Sequence, residues 1–345
     1  MPLFELIGDE LTISWTGFNK VQVGKIDLDT CGALMLVCNG VVKKDQVEVL
    51  RGQATEEDLA NLQVLCIEVG GNGRVKEGNF DHHGMEKLPS ATMQAWETIT
   101  RPKMVRHLRE TSDRIESSTF KKMDFLKHDF FYFSDWYRVC QLVEYIDKLD
   151  TKGPGSMPQG AKFPTLSDVF SGMLLTISDP KEQLRTGAFL LGSILVLGID
   201  PFGQMPRENR FMDTYPSWQM FIEAKEAHDR KVEEAVQSAS WDTTKSGLKL
   251  AYLETDFIGA LGALYDNGAQ IAIAFSPNFG PNKIPKFSIG VKEGEKIRVD
   301  SLRPELNSKD PGWGGPPTGT IIGSPREVGS KMSLQEVVDI VRKNL

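Results

Sequence analysis

Cysteine and histidine are scarce in this chain of 345 residues, which contains four cysteines and five histidines. The cysteines show no Cys-x-x-Cys spacing and lie in apolar surroundings, at Cys31, Cys38, Cys66 and Cys140. This pattern disfavours both a zinc site of paired cysteines and a disulfide framework. We therefore predict four reduced thiols that pack in the core.

Long apolar runs are also absent. No segment reaches the roughly 18 uncharged apolar residues that a membrane-spanning helix requires. The longest apolar run, at residues 188–199, is interrupted by glycines and predicts a buried helix. Residues 1–5 lack the basic flank and the apolar core of a signal peptide. These absences predict a cytoplasmic protein that does not associate with membranes.

A surplus of positive charge is missing as well, since the formal net charge is −7. Proteins that bind long duplex nucleic acid usually carry a strong basic excess, so that class is disfavoured, whereas short oligonucleotides are not excluded. The chain has no Gly-x-Ser-x-Gly elbow of a serine hydrolase. Its glycines at 70–73 are not followed by the helix that a dinucleotide-binding fingerprint requires.

The most informative motif is Asp81-His82-His83, which places two of the five histidines beside a carboxylate. This combination suits metal and phosphate chemistry, because imidazole binds metal ions and also exchanges protons near neutral pH. The alternative is a surface turn with incidental histidines. The positions of the other acidic residues decide between the two.

Asp27 and Asp29 follow a short alternating stretch that predicts a strand near residues 21–26. In an extended chain, side chains two residues apart point to the same side. Two carboxylates so placed repel one another unless a positive charge lies between them, and a divalent cation supplies it. A solvated loop is the alternative.

Two further segments end in acidic residues. Residues 63–69 predict a buried parallel strand that ends at Glu68 and a glycine-rich turn. Residues 135–150 show helical apolar spacing up to Ile146, and Asp147 and Asp150 precede a glycine and proline stop. Because ligands of open α/β sheets collect at the carboxyl ends of strands, we expect these acids near the histidines.

The spacing of the elements predicts an α/β fold. Strands near 21–26, 46–50 and 63–69 alternate with helical patterns near 30–39 and 55–62. This rhythm predicts an N-terminal doubly wound, mainly parallel sheet, followed by a second, smaller α/β domain. A charge-rich helical stretch at 218–238 is typical of a connecting helix, so we predict domains at residues 1–240 and 241–345.

The order and spacing of these segments resemble the DHH phosphoesterase superfamily, which includes RecJ-type exonucleases, small-oligonucleotide phosphodiesterases and family II inorganic pyrophosphatases. The resemblance implies one or two Mn²⁺ or Mg²⁺ ions, and a metal-binding set drawn from Asp27, Asp29, Glu68, Asp81, His82 and either Asp147 or Asp150. It also implies that His83 is a catalytic residue that contacts the scissile phosphate. Two positions depart from the family: Lys25 stands where a ligand Asp is usual, and Glu68 replaces the usual bridging Asp.

Residues 312–326 are rich in glycine and proline and follow two predicted strands, at 270–275 and 286–291. They resemble the substrate loop of the family's smaller C-terminal domain. By that resemblance, the backbone amides of Gly314 and Gly315 approach phosphate oxygens. Arg326 supplies a forked donor for substrate binding and catalysis. The alternative is a surface turn.

Together these features predict metal-dependent hydrolysis of a phosphodiester or phosphoanhydride. A short oligonucleotide or dinucleotide is the first candidate substrate, and a small-molecule phosphatase or pyrophosphatase activity is the second. A non-catalytic or degenerate phosphate- or nucleotide-binding protein of the same fold is the alternative from another class. Lys25 and Glu68 motivate that alternative, because an altered ligand set commonly weakens metal binding.

Overall fold

The computed structural model describes residues 6–7, 10–11, 18–38, 44–83, 87–102, 105, 122–153, 156–158, 162–207, 218–280, 282–316, 318–325 and 328–345. The chain forms two compact units, Met1–Lys225 and Glu226–Leu345. The division falls inside a long helix, Trp218–Gln237. The predicted boundary at residue 240 lies just after this helix and stays a prediction.

The first unit contains a parallel sheet of four strands. In chain order these are β3 (Lys20–Val23), β4 (Val47–Val49), β5 (Val64–Ile67) and β6 (Asn79–Phe80). They are arranged in the order β4-β3-β5-β6, and each neighbouring pair is parallel. A separate antiparallel pair, β1 (Leu6–Ile7) and β2 (Glu10–Leu11), precedes them. The predicted mainly parallel N-terminal sheet is confirmed.

Several helices surround this sheet or begin in the first unit. They are α1 (Leu28–Val37), α2 (Glu56–Ala60), α3 (Ala91–Ala95) with a π-helical turn (Trp96–Thr100), α4 (Lys122–Lys152), α5 (Leu166–Thr176), α6 (Pro180–Leu197) and α7 (Trp218–Gln237). Short 3₁₀ turns lie at Lys44–Gln46 and Val75–Glu77. Helix α1 is buried along its whole length and contacts both α3 and α6, which explains why its sequence is apolar on every side.

Both faces of the parallel sheet are covered. Leu65 and Ile67 of β5 pack in the main core, whereas Val64 and Cys66 pack on the other face against Leu59 of α2. Every residue of β5 is therefore buried, as expected for a strand between two layers of helices. This layering confirms the predicted doubly wound class.

The chain does not stay extended between Asp27 and Asp29. Strand β3 ends at Val23, and α1 begins at Leu28 with Asp27 as its N-cap. Asp29 therefore lies in the first turn of the helix, so the expected alignment of the two carboxylates along a strand is wrong. The physical reason is the N-cap itself, because Oδ1 of Asp27 accepts a hydrogen bond from the amide of Thr30.

The second unit contains a mixed sheet of five strands. These are β7 (Ser240–Thr243), β8 (Lys249–Glu254), β9 (Ile271–Phe279), β10 (Ile284–Val291) and β11 (Ile321–Gly323), in the order β11-β10-β9-β8-β7. Only the β8–β9 pair is parallel among these strands. Its helices are α8 (Ala260–Asp266), α9 (Arg303–Lys309) and α10 (Leu334–Asn344), with a 3₁₀ turn at Val299–Leu302. The predicted second α/β domain is confirmed as a fold class.

The structure also bears on the predictions about the cysteines and about membrane-spanning helices. All four cysteines are free, and three of them are buried. Among the described helices, none is long and apolar enough to span a bilayer.

Candidate metal and phosphate site

The candidate site forms where β3 and β5 end side by side. Glu68 follows β5 directly and has a positive φ of 59°, which is uncommon for a residue with a side chain. Its amide donates to the carbonyl oxygen of Phe80 at 2.9 Å, so strand β6 helps to hold this conformation. A Cβ added at Gly24, just after β3, would lie 2.2 Å from the carbonyl oxygen of Glu68. Glycine at this position therefore permits the close approach of the two strand ends.

Asp27 has a partner for each carboxylate oxygen. Oδ1 accepts from the amide of Thr30 at 2.9 Å and so caps α1. Oδ2 lies 3.1 Å from the ammonium Nζ of Lys25, whose side chain is 78% exposed. Burial opposes the charge of this lysine, but the neighbouring carboxylate of Asp27 raises its pKa. Asp27 is thus both a helix cap and the partner of a fixed cation.

Asp29 is almost fully buried and anchors the start of α3. Its Oδ2 accepts from the amide of Ala91 and its Oδ1 from the amide of Thr92, both at 2.8 Å. Burial raises the pKa of Asp29 to about 8, and the charge of Asp150 adds to the effect. Each carboxylate oxygen keeps a further lone pair after these hydrogen bonds, so Asp29 can also bind an ion.

His82 lies between two carboxylates. Its Nε2 is 3.0 Å from Oδ2 of Asp150 and 3.5 Å from Oε1 of Glu68. Neither contact has hydrogen-bond geometry, and both Nε2 of His82 and Oε1 of Glu68 are buried atoms without a hydrogen-bond partner among the described residues. Burial raises the pKa of Glu68 and also that of Asp150. Buried polar atoms that converge without hydrogen-bond partners suit a site that binds an ion.

His83 is more exposed than His82 and is held through its other ring nitrogen. Nδ1 of His83 lies 3.0 Å from Oε2 of Glu68 and 3.1 Å from Oδ1 of Asp81. These two carboxylates, Asp81 first, raise the pKa of His83 to about 10. The side chain is 65% exposed, and its ring meets that of His82 edge to face at 4.6 Å. His83 is therefore a protonated imidazole at neutral pH, oriented by two acids.

Asp81 serves the local backbone. Oδ2 accepts from the amide of Gly70 at 2.5 Å, and Oδ1 accepts from the amide of His83 at 2.8 Å. Burial opposes the negative charge, but the hydrogen bonds from His83 and Gly70 lower the pKa of Asp81. The structure thus places this predicted ligand as the residue that fixes the glycine turn and His83.

Helix α4 presents two acids, and the structure assigns them different surroundings. Asp150 faces His82, as described, and belongs to the cluster around it. Oδ1 of Asp147 instead accepts from the amide of Ser90 at 2.9 Å, just before α3. The two residues that the sequence leaves undecided are therefore separated: Asp150 lies at the candidate site, and Asp147 supports the segment that leads into α3.

Two sets of candidate ligand atoms emerge within the described residues. One consists of Asp29, His82 and Asp150, and the other of Glu68, His82 and His83; in each set the atoms lie within 4.8 Å of one another. Mixed carboxylate and imidazole donors suit Mn²⁺ and similar divalent ions. The donor set and its unpartnered buried atoms therefore fit the ion that the sequence implies.

The backbone amides of Ala91 and Thr92 were missed by the sequence reasoning, although they hold the most deeply buried carboxylate of the site. The sequence nevertheless contains a signal for these amides, which is the start of a helix at Ser90. Ser90 follows a proline and caps α3, because its Oγ accepts from the amide of Met93 at 3.2 Å. A predicted helix start at this point suggests free amides that attract a buried acid.

In the second unit, the glycine-rich loop is folded against its own strand. The amide of Gly314 donates to the carbonyl oxygen of Gly323 at 3.0 Å, so this N–H is already committed. The carbonyl oxygen of Gly315 accepts from Nη2 of Arg303 at 2.7 Å. Arg326 lies outside the described residues. The substrate-binding roles of Gly314, Gly315 and Arg326 stay predictions.

No protein-family model matches the chain, and no curated protein matches it. Among solved structures, the chain is similar to a pGpG-specific phosphodiesterase, PggH, from Vibrio cholerae. The two chains are 14% identical, the match covers 94% of this chain and 96% of that chain, and the TM-score is 0.48. It is also similar to the DHH domain of a member of the S1p family of ribosomal proteins, with 14% identity, 94% and 86% coverage and a TM-score of 0.41. Likenesses at this level carry no conclusion about activity or substrate.

Proposed function

We propose that this chain is a metal-dependent hydrolase of phosphodiesters or phosphoanhydrides. The observation that carries the proposal is the convergence of Nε2 of His82, Oε1 of Glu68 and Oδ2 of Asp150, two of which are buried atoms without a hydrogen-bond partner among the described residues. A purely structural cluster would pair these atoms, since an unsatisfied buried polar group costs on the order of 1–3 kcal/mol. A bound cation satisfies them all.

In this proposal, Asp29, His82 and Asp150 hold the ion, with Glu68 beside them. A divalent ion bound here lowers the pKa of its water towards about 7 and neutralises charge on phosphate oxygens. The carboxylate of Asp29 accepts hydrogen bonds from the amides of α3, and strand β6 holds the backbone of Glu68, so both residues are positioned before any ligand binds. This rigidity suits an ion that requires well-defined ligand positions.

In this proposal, His83 is the charged hydrogen-bond donor to the phosphate of the substrate. Because Glu68 and Asp81 engage Nδ1, the exposed Nε2 is directed away from them and is free to donate to a phosphate oxygen. The raised pKa, about 10, keeps the ring protonated at neutral pH. A charged donor of this kind binds a phosphate oxygen more strongly than a neutral one. We assign His83 to the substrate and not to the ion.

The proposed substrates are short oligonucleotides and dinucleotides first, and small phosphate compounds or pyrophosphate second. The order follows from the resemblance of the motifs to oligonucleotide phosphodiesterases. The net charge of −7 supports a short ligand over a long duplex, since a duplex binder gains most of its affinity from basic residues.

A non-catalytic binding protein is the second candidate, and the Lys25–Asp27 ion pair favours it. The 3.1 Å contact neutralises a carboxylate that the resemblance assigns to an ion. Such a protein would keep affinity for phosphate-bearing ligands through His83, and it would show no turnover.

The test is a hydrolysis panel with purified protein in Mn²⁺. The substrates are bis(p-nitrophenyl) phosphate, dinucleotides that include pGpG, and pyrophosphate, each with and without a chelator. We expect chelator-sensitive turnover of at least one diester, and a loss of more than about a hundredfold in His82→Gln. His228→Gln is the matched control, because His228 contacts the carbonyl oxygen of Ile258 in the second unit. Silence across the panel with Mn²⁺ bound would favour the binding protein.

A further inference from the structure

Both candidate ligand sets include His82. Its Nε2 lies 3.5 Å from Oε1 of Glu68, a member of one set, and 3.0 Å from Oδ2 of Asp150, a member of the other. An imidazole nitrogen has a single lone pair, so Nε2 binds one ion at a time. Two ions therefore cannot share Nε2 of His82, and we treat the two sets as alternative ligands of one ion.

Asp27 is the remaining acid that a second ion would need. It belongs to neither ligand set among the described residues. Nζ of Lys25 lies 3.1 Å from its Oδ2, and the other oxygen caps α1. At equal separation, a unit positive charge repels a divalent cation twice as strongly as it attracts a carboxylate. The ion pair thus blocks the position beside Asp27.

Lys25 is held by charge and not by packing. Its side chain is 78% exposed, and its ammonium is held by the ion pair with Oδ2 of Asp27 at 3.1 Å. Burial opposes its charge, and the carboxylates of Asp27, Asp150 and Glu68 together raise the pKa of Lys25. The charge of the ammonium is therefore felt by Glu68 and Asp150, the two acids beside His82.

We propose that the site binds one divalent cation, at His82, and that the ammonium of Lys25 provides the fixed positive charge that a second ion would otherwise supply. The inference rests on the proposed function and specifies how many ions the site uses. A consequence is that the exposed Nζ of Lys25 is also placed to donate to a phosphate oxygen near Asp27.

The experiment counts ions with Mn²⁺ alone. Calorimetry gives the stoichiometry, and electron paramagnetic resonance distinguishes an isolated Mn²⁺, with six hyperfine lines, from a spin-coupled pair. We expect one equivalent and an isolated signal in the unmodified protein. Lys25→Asp removes the ammonium and adds a ligand, so we expect a second equivalent and a coupled signal.

Two control variants accompany this comparison, with the fold of each variant checked by circular dichroism. Lys25→Arg keeps the charge and is expected to hold one equivalent. Lys20→Asp makes the same exchange at another lysine that bridges two acids, Glu48 and Asp58, outside the site, and is expected to hold one equivalent.

The inference is overturned if the unmodified protein binds two coupled ions or none, or if Lys25→Asp stays at one equivalent. Hydrolysis is measured separately on the same samples. One bound ion without turnover of any substrate rejects the proposed function and leaves the ion count standing. Turnover by a protein that binds two coupled ions rejects the ion count and leaves the proposed function standing.

Discussion

Asp29 is expected to make the affinity for Mn²⁺ depend steeply on pH. The carboxyl group is buried and accepts from two backbone amides, and burial raises its pKa from 3.8 to about 8. This difference corresponds to a penalty on the order of 6 kcal/mol against the charged form in the metal-free protein. A divalent cation offsets the penalty by placing positive charge beside the carboxylate.

The sign of the effect follows from the raised pKa. Below about pH 8 the metal-free protein holds a proton on Asp29, and the ion must displace it. We therefore expect the affinity to rise about tenfold per pH unit between about pH 6 and 8, and to level off above that range. In the metal-free protein, Asp29 makes its full contribution to the free energy of unfolding below the pKa that it has in the unfolded chain. This contribution is lost as pH rises through about 8.

The assay is titration calorimetry at several pH values, repeated in two buffers that differ in ionisation enthalpy so that proton release is measured directly. Near neutral pH, Asp29 is expected to release about one proton for each Mn²⁺ bound. Asp29→Asn removes this proton, and its amide nitrogen faces an N–H donor, so affinity should fall and its pH slope should flatten. Asp58→Asn is the matched control, because Asp58 lies with Lys20 and Gln22 outside the site.

Glu68 and Asp150 also have raised pKa values, so the comparison of variants is essential. An affinity of the unmodified protein that does not change between about pH 6 and 8 would contradict this role of Asp29. An unchanged pH slope in Asp29→Asn would also contradict it, since another group would then release the proton.

Two further predictions separate residues that lie close together. Asp150→Ala should lower the affinity for Mn²⁺ more than about tenfold, whereas Asp147→Ala should leave that affinity unchanged. Asp147→Ala should instead lower the free energy of unfolding by about 1 kcal/mol, because the contact with the amide of Ser90 is lost. Calorimetry measures the affinities and denaturant titration the free energy of unfolding, and equal losses of affinity in the two variants would contradict the assignment. His83→Gln should reduce kcat by about a hundredfold or more while Mn²⁺ affinity stays within a few fold. A matching loss of affinity would make His83 a ligand.

Some features of the site could be predicted from the sequence because they depend on local pattern. The buried strand that ends at Glu68 is one, since an apolar run followed by glycines has few other interpretations. The positive φ of Glu68 is different. It depends on contacts with Gly24, just after β3, and with Phe80 of β6, and no local pattern encodes these contacts.

The acids on helices were harder to assign. Asp147 and Asp150 lie three residues apart and so share a helix face, which is why periodicity alone cannot choose between them. The choice depends on where α3 begins, since the amide of Ser90 takes Asp147. The roles of Asp27 and Asp29 were misplaced for a related reason, because an aspartate before small and apolar residues is also a helix N-cap.

The order of the strands has a consequence for how the site is assembled during folding. Strand β3 lies between β4 and β5, and helix α4 contributes Asp150 from much later in the chain. Contacts between such distant segments form late, because the chain must first close the intervening loops. A fragment that ends before α4 lacks Asp150 altogether. We therefore expect an ion bound at the proposed site to stabilise the folded unit and not to nucleate its folding.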